Sequence, residues 1–174
     1  MSSPAVNPQP GTATMSAEVP VTFDTAATKP PPALPTLVSM IESIARSRLV
    51  TVGVDTLLTA VAELLTSSQI SLVVVCDAQG VATGVITETI LVRQLGYGHA
   101  DLFTTVAGEV MARDFATCQL SDSLPQVLTD MHLRGLIHVA VVDSNRRPLG
   151  VLNARDGLRA LLMQGHYEES LLRN

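Results

Sequence analysis

Clustered positive charge is missing from this chain. Its 174 residues carry eleven Lys and Arg against sixteen Asp and Glu, a net charge of −5, and no basic stripe forms along them. That excludes a nucleic-acid groove, which draws much of its affinity from neutralising phosphates. No apolar run approaches the ~18 residues of a membrane span. No basic start leads into an apolar stretch, so a secretory signal is not expected. Cysteine is reduced to Cys76 and Cys118, without CxxC spacing and each inside an apolar, strand-like segment. They read as buried thiols of a protein kept in a reducing cytosol. His99, His132, His138 and His166 lack metal-ligand spacing, and neither a GxSxG nor a P-loop occurs. The expectation is a cytoplasmic protein that is not an enzyme, with no catalytic residue, no metal and no catalytic cofactor.

What the chain has is apolar surface to bury: 47% of its residues are hydrophobic. They are unevenly placed. Residues 1–36 hold eight of the ten prolines, among Ser, Thr and Ala. Such a segment cannot bury enough apolar area to offset its ordering entropy, so a disordered tail is expected there.

The remainder reads as one unit written twice. GVITETILV at 84–92 returns as GVLNARDGL at 150–158. Upstream, RLVTVGVDTLLTAVAELL matches DFATCQLSDSLPQVLTDM, each with a short extended stretch and then a helix start at Asp-Thr-Leu or Asp-Ser-Leu. Leu57, Ala60, Val61, Leu64 and Leu65 form a helical stripe, repeated by Leu124, Val127, Leu128 and Met131. Asp55 and Asp122 are candidate caps, and Ser123 with Gln126 has capping-box spacing. SLVVVCDAQGVATGVIT then matches HVAVVDSNRRPLGVLN: an apolar strand, a polar turn opened by Asp77 or Asp143, and a second strand. Apolar residues on consecutive positions suggest strands covered on both faces. Matching the copies this way requires a one-residue shift around Gln69. Each copy therefore reads β-α-β-β-α, an α/β class in which neither half buries its faces alone and the two share a core. The expected organisation is a tail at 1–36, a first repeat at 37–103, and a second at 104–174 ending in a helix extension.

This double pattern resembles a tandem pair of CBS domains, a Bateman module, from about Leu37 to Gln164. The resemblance implies two repeats packed about a pseudo-two-fold axis, with clefts that bind an adenine nucleotide (AMP, ADP or ATP) or a related adenosyl ligand such as NAD or S-adenosylmethionine. It also implies a homodimer that regulates a separate protein partner. The family's ligand motif is Gly-aliphatic-aliphatic-[Ser/Thr]-x-x-Asp. The second copy supplies Gly150, Val151, Leu152, Asn153 and Asp156; the first supplies Gly84 to Thr87 but has Ile90 in place of the acid. A carboxylate in the first turn of a helix can accept bonds from both ribose hydroxyls, charge-assisted bonds contributing on the order of 1.5–3 kcal/mol each. By the family's pattern the base would lie near Leu49, Ile70 and Ser71 with Val151 behind it, and His138 and Arg155 would stand on the phosphate side. The proline the family places two residues past His138 is Ala140 here, and Val74 in the first copy.

Each of these residues also has a plain structural role open to it. Asn153 and Thr87 suit helix caps, Asp156 suits a helix dipole, and His138 suits a core histidine. Two readings of the whole therefore stand: a ligand-sensing regulatory module, or a ligand-free dimerising scaffold.

Overall fold

Strand-forming residues set the centre of the molecule. The computed structural model describes residues 36–66, 70–98, 101 and 103–173. In it β1 (Thr51–Gly53), β2 (Leu72–Cys76) and β3 (Ala82–Thr87) form one sheet in that order, with β1 parallel and β3 antiparallel to β2. The second sheet repeats this with β4 (Thr117–Cys118), β5 (His138–Val142) and β6 (Pro148–Asn153). Both central strands are covered on both faces, as their unbroken apolar runs suggested. Leu72, Val74 and Cys76 of β2 meet Ala140 and Val142 of β5 in a core between the sheets. Val73 and Val75 point the other way into the first repeat's own core, and Val139 and Val141 into the second's. Burying each such Val or Leu contributes about 1.5–3 kcal/mol over leaving it exposed.

Helices α2 (Leu58–Leu65) and α3 (Glu88–Gly96) flank the first sheet, and α5 (Leu124–Leu133) and α6 (Ala154–Leu172) the second. Two short helices precede the repeats, α1 (Glu42–Ser47) and α4 (Ala107–Val110). They are exchanged between the halves. Val38, Ile41 and Ala45, around α1, lie in the second repeat's core, whereas Ala107, Val110 and Met111, around α4, lie in the first's. This exchange makes one interlocked body of two repeats. Close packing enforces it at Gly150, where an added Cβ would come within 2.7 Å of the Ala45 carbonyl carbon.

The repeat is more regular than its residue types suggest. Thr51 and Thr117, Leu58 and Leu124, Leu72 and His138, and Ala82 and Pro148 begin matching elements, each pair 66 positions apart. The one-residue shift expected around Gln69 is therefore not made. Leu58, not Leu57, is the counterpart of Leu124; both are fully buried, while Leu57 is the exposed residue preceding α2. Asp55 does not cap α2, and the box of Ser123 with Gln126 does not form on α5. Backbone takes over both tasks: the Leu58 N–H donates to the Thr105 carbonyl at 3.0 Å, and the Leu124 N–H to the Thr36 carbonyl at 2.8 Å. Gln126 donates instead to Asp130, and the Asp122 carboxylate accepts from the Gln119 N–H. Asp77 and Asp143 do serve as turn residues. Each Oδ1 accepts two backbone N–H groups, from Gln79 and Val81 and from Asn145 and Arg147.

The tail expected at 1–36 lies outside the described residues except for Thr36. Thr36 belongs to the fold, its hydroxyl bonding Gln164 of α6 at 2.5 Å. No helix among the described residues is long and apolar enough to cross a membrane, and no group of three or more His, Cys, Asp or Glu among them could hold a metal ion.

Candidate functional site

The two ends of β5 and β6 meet where α6 begins, and this junction gathers the second repeat's polar residues. Asn153 has extended backbone and caps α6, its Oδ1 accepting from the Arg155 N–H at 2.8 Å. Because Oδ1 is taken, the amide Nδ2 must donate, and it does so to His138 Nε2 at 3.0 Å. A ring nitrogen that accepts carries no proton, so His138 is the neutral Nδ1–H form. Its pKa is lowered from the ordinary 6.5, first by burial and then by the positive Arg48, with Asp156 opposing. The neutral form suits both causes.

Asp156 stands in the first turn of α6. Its Oδ2 accepts from Arg48 Nε at 2.7 Å, an ion pair joining residues 108 positions apart. The pair is largely withdrawn from water, with the two side chains 27% and 14% exposed. Arg48 closes α1, the helix that packs on β6. The exchange of leading helices thus carries this cation from the first repeat to the second repeat's acid.

Arg48, Ser71, Ile137, His138, Asn153, Arg155 and Asp156 surround a cleft of about 370 Å³. Five of the eight residues expected to hold a ligand meet there: Asp156, Asn153, Arg155, His138 and Ser71. Three do not line it. Val151 is 2% exposed and packs between the sheets with Val74, Val85 and Ala140. Leu49 leans on that same shared core, and Ile70 on the core of the first repeat. Their apolar side chains are drawn into packing.

A second cleft, of about 650 Å³, lies at the start of α3. Each residue lining the first cleft has its counterpart here at a spacing of 66, so the pseudo-two-fold relation extends to the clefts. The chemistry does not. Thr87 caps α3 as Asn153 caps α6, its Oγ1 accepting from the Ile90 N–H at 3.4 Å. Ile90 replaces Asp156, and Asp114 replaces Arg48. The larger cleft is lined by two acids, Glu88 and Asp114, and by Arg93 and Arg134. Ser71, Ile137 and His138 border both clefts.

The CBS domain family model matches residues 41–97 and 107–163. No curated protein sequence matches the chain. Among solved structures, it is similar to the CBS domain pair of protein MJ0100 in complex with 5'-methylthioadenosine and S-adenosyl-L-methionine. The identity is 22%, over 75% of this chain and 99% of that one, with a TM-score of 0.63. The CBS-domain containing protein ATU1752 from Agrobacterium tumefaciens is 28% identical over 74% of this chain and 96% of its own, with a TM-score of 0.63. CBSX2 in complex with AMP is 20% identical over 75% of this chain and 98% of its own, with a TM-score of 0.63.

Proposed function

Because the chain belongs to the CBS-domain family, with two copies in tandem, we propose that it is a regulatory module whose Asp156 cleft binds an adenosyl ligand. The observation that carries this reading is the convergence of Asp156, Asn153, His138 and Arg155 of the second repeat with Arg48 and Ser71 of the first around one cleft. A carboxylate at the start of a helix suits a ribose diol, and the surrounding cations suit a phosphate. The reading agrees with the adenosyl ligands of MJ0100 and CBSX2. AMP, ADP, ATP, NAD and S-adenosylmethionine are the candidates. Binding, not catalysis, is the proposed activity, in the cytoplasm, with the signal passed to a separate protein.

We further propose a homodimer formed through the outer faces of α3 and α6. Val92, Leu158, Leu162 and Met163 there are all more than half exposed. A monomer would leave these apolar side chains in water.

One observation favours the scaffold instead. The polar groups that would read a ribose are already paired within the chain, Asp156 with Arg48 and Asn153 with His138. Thermal-shift measurements with the five candidates separate the two readings. A ligand that binds the native state raises its stability, by about 2.7 kcal/mol at a hundred times its Kd. A rise in melting temperature with at least one candidate is expected. No rise with any of them supports the scaffold.

A further inference from the structure

His138 is joined through a single amide to the cap of the helix that carries Asp156. We propose that His138 and Asn153 form a pH-sensitive switch, in which protonation of the ring releases the N-terminal cap of α6 and loosens one wall of the Asp156 cleft. The switch stands on hydrogen bonds within the chain and does not depend on which ligand the cleft takes.

One side chain serves two partners. Asn153 Oδ1 accepts from the Arg155 N–H at 2.8 Å, while Nδ2 reaches His138 Nε2 at 3.0 Å. A carboxamide has one accepting end and one donating end, so both bonds hold only while Nε2 accepts. In the imidazolium both ring nitrogens carry protons, and Nε2 then meets Nδ2 donor against donor. Turning the amide over offers the charged ring Oδ1, but it sets Nδ2 against the Arg155 N–H. The bond to the charged ring is roughly twice as strong as the neutral bond it replaces, so the ring takes the oxygen and the cap is lost. The turn thereby released carries Arg155 and Asp156, both of which line the cleft.

Charged groups border the ring through both clefts. Arg48 at the end of α1, with Arg155 and Asp156 of α6, lines the cleft that His138 shares with Asn153. Glu88 and Arg93 of α3, Asp114, and Arg134 at the end of α5 line the second cleft, which His138 also borders. Burial and Arg48 lower the ring's pKa and Asp156 raises it, with burial the largest influence. The ring is therefore neutral near pH 7, and the cap is in place there. The first repeat is built without this device. Asn153 pairs with His138 across the second sheet, whereas Thr87, which caps α3, pairs with Leu72, a residue that does not titrate.

NMR titration of the full chain and of Asn153→Asp from about pH 7.5 to about pH 5 tests the switch, following the His138 ring and the Arg155 amide together. In the parent the Arg155 amide proton is expected to shift upfield with the midpoint of the ring, as its hydrogen bond is lost. In Asn153→Asp a carboxylate caps α6 with one oxygen and has the other free to accept from the imidazolium. The His138 midpoint is then expected to rise, and the Arg155 amide to stay in place while the ring titrates. The ring becomes charged in both proteins, so the contrast separates release of the cap from the mere arrival of a charge nearby. An Arg155 amide that does not follow His138 in the parent overturns the switch, and that measurement needs no substitution. An amide that moves equally in the two proteins overturns it as well, as does a His138 midpoint no higher in Asn153→Asp. None of these outcomes bears on the adenosyl reading, which the thermal-shift measurements decide separately.

Discussion

Asn153 engages both ends of its amide within the chain, and the consequences begin with His138. By accepting from Asn153, His138 Nε2 is committed to the neutral ring, and burial lowers its pKa below 6.5. Between that lowered value and about pH 6.5 the unfolded chain binds more protons than the folded one. Stability therefore falls as pH is lowered through this window, and the group's contribution is fully present above it. Urea midpoints at about pH 5 and about pH 7.5 should show this fall in the parent, and a smaller one in His138→Gln, whose side chain does not titrate. An undiminished pH dependence in His138→Gln would assign the effect to other groups. The thiols are governed by the same physics. Burial, aided by the negative Asp122, pushes Cys118 up to about 12, and burial with Asp77 raises Cys76. Neither is a thiolate near neutral pH, so disulfide reagents at about pH 8 should label the native protein only as fast as it opens. One rapid equivalent of labelling would show an accessible cysteine.

Among these residues, those tied to the repeated motif were legible from the sequence. Asp156, Asn153 and His138 stand at places that the resemblance to CBS domains marks for ligand contact. Arg48 was not legible. It lies 108 positions from Asp156, and the contact depends on a leading helix crossing to the other repeat. A signal was nonetheless present in the match of RLVTV with DFATC, where one repeat has an arginine and the other an aspartate. Val151 shows the reverse. Its motif position was recognised, but packing between the sheets takes the side chain out of the cleft.

The elements divide in the same way. The helices α2 and α5 follow from apolar periodicity and the central strands from unbroken apolar runs. The two leading helices are six and four residues long, too short for a stripe to stand out. Asp-Thr-Leu and Asp-Ser-Leu look alike but do not mark matching helix starts, because the first N–H of α2 and of α5 is satisfied by backbone far away in the chain. The same Gly-Val motif also carries unequal demands in its two copies. A Cβ at Gly150 would press on the Ala45 carbonyl carbon and oxygen at 2.7 and 2.9 Å, which are backbone atoms that cannot rotate aside. At Gly84 the obstacle is the side chain of Met111, which is flexible. Gly150→Ala should therefore cost about 1–3 kcal/mol, and Gly84→Ala distinctly less. Equal losses in chemical denaturation would mean that the α1 crossing on β6 is not closely packed.

For the whole molecule, two nearly identical frames enclose two chemically different clefts. One is lined by an arginine–aspartate pair, and the other has an isoleucine and an aspartate at the matching positions. Duplication explains the shared frame, and the 66-residue spacing preserves it from β1 to β6. Under the proposed function, this asymmetry predicts one principal site per chain. The proposed dimer would cover the exposed apolar side chains of α3 and α6. Light scattering at micromolar concentration should return twice the 18.4 kDa chain mass. A clean monomer would leave Val92, Leu158 and Leu162 without a partner of this kind.

Calorimetric titration of the parent and of Asp156→Ala with AMP tests the central claim most directly. The expected result for the parent is about one tight site per chain, because the second cleft has Ile90 at the place where the first has Asp156. Asp156→Ala should weaken that site by roughly 30-fold or more, the loss of two charge-assisted bonds, while Ile90→Ala should leave it nearly intact. An Asp156→Ala protein that binds AMP as tightly as the parent would contradict the assignment of this cleft.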